Sequence, residues 1–196
     1  NTYYTSFIDC HSEGDITTSA AGTYAGGLIG WLRNSTAVNS HAAGSVTSGD
    51  NSYAGGLVGY MYDASLSDCH STGSVTVGSG SSVGGLTGFI DSSNSITNCC
   101  ATGNVVAGSS AKSGGLVGWG QSQITNCYAT GNVTGGIKVG GIIGWSTGSF
   151  ISNAYATGNL SGTDGNAAVG NLVGYGSATI SDGYGKTNPV FPVNTE

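Results

Sequence analysis

The stretch Gly114-Gly115-Leu116-Val117-Gly118-Trp119, GGLVGW, decides the reading of this chain, because near-copies of it recur from one end to the other. The copies are GGLIGW at 26–31, GGLVGY at 55–60, GGLTGF at 84–89, GGIIGW at 140–145 and GNLVGY at 170–175. Their first glycines stand at 26, 55, 84, 114, 140 and 170, a period of 26–30 residues. A second phrase keeps the same period, clearest as ITNCYATGNV at 124–133. Its relatives are FIDCHSEGDI (7–16), AVNSHAAGSV (37–46), LSDCHSTGSV (66–75), ITNCCATGNV (96–105) and ISNAYATGNL (151–160), with a partial copy, ISDGYG, at 180–185. Self-similarity at such a period marks a stacked-repeat architecture, in which each unit buries its apolar face only against its neighbours.

Composition narrows the classes. Of 196 residues 37 are glycine, with four basic and ten acidic side chains and a formal net charge of −6. The apolar residues return at fixed places in every repeat, which a buried core requires and a disordered chain lacks. Every window of a dozen residues holds several Gly, Ser, Thr or Asn, all poor in helix interiors, so the expected elements are short strands. Arg33, Lys112, Lys138 and Lys186 are spread along the sequence and do not make a run that would neutralise phosphates. A nucleic-acid partner and an anionic membrane surface are therefore not expected, and no stretch is long and apolar enough for insertion into a membrane. Because the chain opens at Asn1 rather than Met, it reads as a processed protein or a fragment.

Within 124–133 the alternation puts Ile124, Cys127 and Ala129 inward, Thr125, Tyr128 and Thr130 outward, and Asn126 at a corner. The corner position holds Asp9, Asn39, Asp68, Asn98, Asn126, Asn153 and Asp182, which one coil apart suits an amide ladder. A catalytic reading of its three aspartates lacks any basic residue gathered near one of them. Cys10, Cys69, Cys99 and Cys127 share one repeat position with Ser40, Ala154 and Gly183, which points to a small inward site for a thiol. A disulfide between adjacent coils, such as Cys99–Cys127, is the alternative. A variable loop is expected between the two phrases, VTSGDNSYA at 46–54 and VTGGIKV at 133–139.

Three outward series bear on function. The first follows each GLxG: Trp31, Tyr60, Phe89, Trp119, Trp145 and Tyr175. The second is His11, His41, His70, Cys100, Tyr128, Tyr155 and Tyr184. Exposed, these stripes offer a surface for sugars or for another protein; covered by the loops, they would only staple the loops down. The three histidines read as a surface ladder before a metal site. The third series, Thr72, Thr102, Thr130 and Thr157, brings ice binding to mind but is broken by Glu13, Ala43 and Lys186. Asn34, Asn132 and Asn159 open N-x-S/T glycosylation sequons. Tyr3, Tyr4 and Phe7 at one end, and Val190, Phe191 and Val193 in the tail KTNPVFPVNTE, form a candidate assembly segment.

GGLVG and its copies, paired with the CYATGNV-like phrase, closely resemble the GLUG motif over residues 7–185. The resemblance implies bacterial or archaeal surface and secreted proteins, among them large adhesins and the non-catalytic parts of immunoglobulin A peptidases. It carries no catalytic residues and implies no cofactor or metal. Together these readings predict an all-β, parallel, right-handed β-solenoid of about seven coils, on the order of 34 Å long at about 4.8 Å per coil. Residues 1–185 form one body, with 1–6 a leading edge strand and 186–196 an extended tail. The expected function is a non-enzymatic extracellular or cell-surface module for adhesion or spacing. It would partner copies of itself, flanking domains, glycans or host surface proteins. The rival is a subunit that polymerises through its open strand edges into a filament.

Overall fold

In the computed structural model, residues 5–91 and 94–185 are described, and all of the regular structure among them is strand. Each coil contributes to three parallel sheets, and strand residues face their repeat equivalents in the next coil, with one register shift between Thr147 and Ser149. A six-stranded valine sheet stacks Ile16–Thr17, Val46–Ser48, Val75–Val77, Val105–Ala107, Val133–Thr134 and Leu160–Ser161. A six-stranded inner sheet stacks Tyr24–Gly26, Tyr53–Gly55, Ser82–Gly84, Lys112–Gly114, Lys138–Gly140 and Ala168–Gly170. The remaining strands form one 15-stranded sheet with three columns, which the long strand Ile143–Ala156 joins. One column runs from Thr5–Ile8 through seven rungs to Thr179. The body is therefore six complete turns with a seventh pass along that column and along the His11–Tyr184 column.

The sequence places the core. Leu57, Leu86, Leu116 and Ile142 of the GGL phrase are fully buried, and they pack on Ile96, Ile124 and Ile151 across the coil. A second core fills the gap between the valine and inner sheets with Val46, Val75, Val105 and Val133 against Ala54, Val83 and Val139. Both exist because Ile, Val and Leu return in register, so each column is continuous along the axis.

The stretches read as variable loops, 46–54 and 133–139, are a correction. Each holds two strands, one of the valine sheet and one of the inner sheet, joined by a short turn. Their changeable residues lie in the turn and on the outer flank, which hid the strands. The glycines of GGLVGW follow from this layout. A Cβ on Gly115 would strike the carbonyl oxygen of Gly141 in the next coil. A Cβ on Gly118 would strike the carbonyl of Gly88 and lie 2.5 Å from the Val83 nitrogen of the inner sheet. The inner sheet thus packs backbone to backbone on the strand that follows it, an approach only glycine allows.

The first strand is Thr5–Ile8, with Phe7 half-buried against the core. Tyr3, Tyr4, Val190, Phe191 and Val193, together with the predicted tail, lie outside the described residues. Cys10, Cys69, Cys99, Cys100 and Cys127 are all free thiols, so the disulfide alternative is set aside. The Cys99 amide donates to Cys127 Sγ and the Cys69 amide to Cys99 Sγ, each at 3.4 Å. Hydrogen bonding to Cys127 and Cys69, and then burial, hold Cys99 protonated.

Candidate binding surface

The aromatic that follows each GLxG stands on the same rung position as its equivalents, so Trp31, Tyr60, Phe89, Trp119, Trp145 and Tyr175 form one unbroken column. Neighbouring ring centroids are 5.7, 5.2, 4.8, 4.9 and 5.9 Å apart along it. Trp119 and Trp145 stack nearly parallel, at 10°, while Trp31–Tyr60 and Trp145–Tyr175 meet edge to face. None of the six is buried, and the end rings, Trp31 and Tyr175, are 51% and 52% exposed. Their contacts are with one another and with the first residues of the inner-sheet strands, Tyr24 and Tyr53, which stack at 5.6 Å. Between the exposed and the covered reading, the column is therefore an accessible flank. Tyr60 donates to Asp91 Oδ2 at 3.2 Å; burial first, and then Asp91, push its pKa up to about 12.

Three basic side chains that look scattered in sequence converge on this flank. Lys112 and Lys138 occupy the Tyr24/Tyr53 position two rungs on and face each other across successive coils. Lys138 Nζ lies 3.2 Å from the Trp145 ring centre and 4.5 Å from that of Tyr175; Lys112 Nζ lies 5.2 Å from Trp119. Arg33 covers Trp31 at 5.7 Å and Tyr62 at 5.6 Å. Burial lowers the pKa of Lys112; burial and then the charge of Lys112 lower that of Lys138. A sequence signal for this existed: Lys112 and Lys138 both stand two residues before the first glycine of a motif.

Beside the column opens a groove of about 630 Å³ lined by Asn34, Asp63, Asn94, Gln121, Gln123, Ser122 and Phe150 among others. A smaller notch between Phe89 and Trp119 shares Gln121 with it, so groove and ladder adjoin. Ser122 is buried and its hydroxyl has no hydrogen-bond partner. Sequence reasoning missed the groove because its corner is built differently from coil to coil: Asn34 and Asp63 take positive φ in two coils, Gly120 and Gly148 in two later ones.

The other series are also ladders. His11, His41 and His70 stack at 5.5 and 4.7 Å, Cys100 continues the column, and Tyr128, Tyr155 and Tyr184 complete it, the first two stacked at 5.1 Å. Burial and then His41 lower the pKa of His70. No group of three or more His, Cys, Asp or Glu suited to a metal occurs among the described residues. The corner residues Asp9, Asn39, Asp68, Asn98, Asn126, Asn153 and Asp182 all have φ between 46° and 55°. Asn98 donates to Asp68, Asn126 to Asn98 and Asn153 to Asn126 at 2.7–3.1 Å. Thr72, Thr102, Thr130 and Thr157 are exposed, and Thr17, Thr47, Thr76 and Thr134 make a further column that Val106 interrupts. Among the sequons, Asn132 and Asn159 are exposed on adjacent rungs and Asn34 is half-buried.

Fold and flank define a parallel β-solenoid repeat protein whose side chains are read out as axial ladders. The GLUG motif is matched at residues 50–76 and 110–134, each spanning one inner-sheet strand, its GGL phrase and the following corner. The chain thus carries the GLUG motif over these two stretches. No curated protein and no solved structure matches it.

Proposed function

We propose that the chain is a non-catalytic, extracellular or cell-surface module of an adhesin-like protein, holding its target by the aromatic ladder and the amide-lined groove beside it. The observation that carries this reading is the accessible six-rung aromatic column beside a groove lined by amide and hydroxyl side chains. Rows of rings next to amide and hydroxyl groups suit glycans and glycosylated surface proteins. The net charge of −6 argues against nucleic acid, and among the described residues no helix is long and apolar enough to cross a membrane. At the corners, hydrogen bonds from Ser67 and then Asn98 lower the pKa of exposed Asp68, which unfits it as a general acid. The test is binding of the purified chain to a panel of immobilised glycans and glycoproteins, with Trp119→Ala and Trp145→Ala beside it. Retention that the substitutions reduce by about tenfold, the cost of one well-buried aromatic contact, is expected. A chain that binds nothing on the panel sinks the reading.

A second reading, a subunit of an end-to-end filament, is favoured by the first and last passes of the long sheet, where Ile8 and Ile180 are 58% and 46% exposed.

A further inference from the structure

We infer that the ladder flank is a site for a carboxylated polysaccharide, a polyuronate running along the solenoid axis; this rests on the glycan-binding reading above. Four observations converge on it. First, the chain has four basic residues, and the three within the described residues all sit on this one stripe. In a chain of net charge −6, those three cations outnumber the Asp91 carboxylate on the same flank, a local reversal of sign. Second, Lys112 and Lys138 face each other one rung apart, and no carboxylate is among the causes that shift either group. Two like charges over aromatic rings repel; an anion placed between them relieves both.

Third, the rings themselves favour anions. Trp119 and Trp145 turn their faces to each other, and Lys138 is seated over Trp145 and Tyr175. Those faces are spoken for, and ring edges, the positive part of an aromatic quadrupole, remain for a ligand. Base stacking needs free faces, so a single-stranded nucleic acid fits this surface poorly. Fourth, the groove that adjoins the ladder at Gln121 offers the amides of Asn34, Gln121 and Gln123 beside the Asp63 carboxylate. A polymer that carries both carboxylates and hydroxyls meets the two halves of the surface at once; an acidic peptide meets only the first.

The experiment measures binding of the full chain to polygalacturonate and to the same polymer with its carboxyls methyl-esterified, with polyglutamate and a single-stranded oligonucleotide alongside. Polygalacturonate is expected to bind best. Esterification, and separately the Lys112→Gln/Lys138→Gln double substitution, should each weaken it by about tenfold or more, as loss of charge-assisted contacts does. The Lys112→Arg/Lys138→Arg variant should retain binding, which guards against a mere folding defect, and added salt should weaken it. Equal binding of the esterified polymer, or indifference to the Lys→Gln change, overturns the inference. So does tighter binding of polyglutamate or the oligonucleotide. Binding of the neutral ester that Trp119→Ala removes would overturn the inference while leaving the glycan-binding reading in place. Failure of every glycan defeats both.

Discussion

Asn126 turns its corner at a φ of 55°, donates to Asn98 at 3.1 Å and accepts from Asn153 at 2.7 Å. Two costs are therefore separable at this residue. Alanine keeps a Cβ in the left-handed region, at about 1–2 kcal/mol, and also loses the two ladder bonds, each a net 0.5–1.5 kcal/mol with the exposed case at the low end. Glycine loses only the bonds. Asn126→Ala should therefore lower stability by about 2–3 kcal/mol and Asn126→Gly by about 1 kcal/mol, read from urea unfolding curves. Equal losses would mean that backbone strain is not what selects the residue. The corner series was legible in sequence for this reason: its conformation demands Asn, Asp or Gly, and its hydrogen-bond partner is the same residue one period away. The Cys69, Cys99 and Cys127 column was legible likewise, since its neighbours are its own repeats. Lys138 was not, because its partner rings, Trp145 and Tyr175, belong to a different column and periodicity within one column says nothing about the column beside it.

At the scale of one coil, the glycine that follows the corner phrase shows how much of the motif is stacking rather than turning. It recurs as Gly14, Gly44, Gly73, Gly103, Gly131 and Gly158. A Cβ on Gly103 would strike the carbonyl of Gly73 in the preceding coil, whereas one on Gly14 meets nothing within 4 Å, and neither residue has positive φ. The same substitution at the same motif position should then have opposite consequences. Gly103→Ala should cost about 2–3 kcal/mol by overpacking. Gly14→Ala should be neutral or gain about 0.5 kcal/mol, because alanine has fewer unfolded conformations to lose. Thermal midpoints of the two variants decide the point, and a comparable loss in both would show that the glycine serves the turn itself. The inner strand was the element least legible from sequence. Tyr24–Gly26 and its equivalents are three residues long and change from Tyr to Ser to Lys at their outer position, so they look like loop until the backbone contact that needs the neighbouring glycines is known.

For the whole molecule the governing fact is an uneven count: six rungs in the valine and inner sheets, seven in two of the three columns of the long sheet. Stacking one molecule on another in register would continue the column that ends at Ile180 into the partner's first strand, yet leave a partial rung empty over the other two sheets. Residues 186–196 follow the seventh pass in sequence, and their Val190, Phe191 and Val193 are apolar. If the molecule polymerises, both features are needed together. Ile180→Lys puts a charge on an apolar end, a device that natural sheets use against edge pairing. Light scattering and negative-stain microscopy should then show filaments for the intact chain. Short rods of one length are expected for Ile180→Lys and for the chain ending at Gly185. Filaments that survive both changes would place the contact on the flanks rather than the ends. Single rods from the intact chain at every concentration would end the polymer reading, and the open edges would then belong to neighbouring repeats of a longer array, with the ladder flank as its working surface.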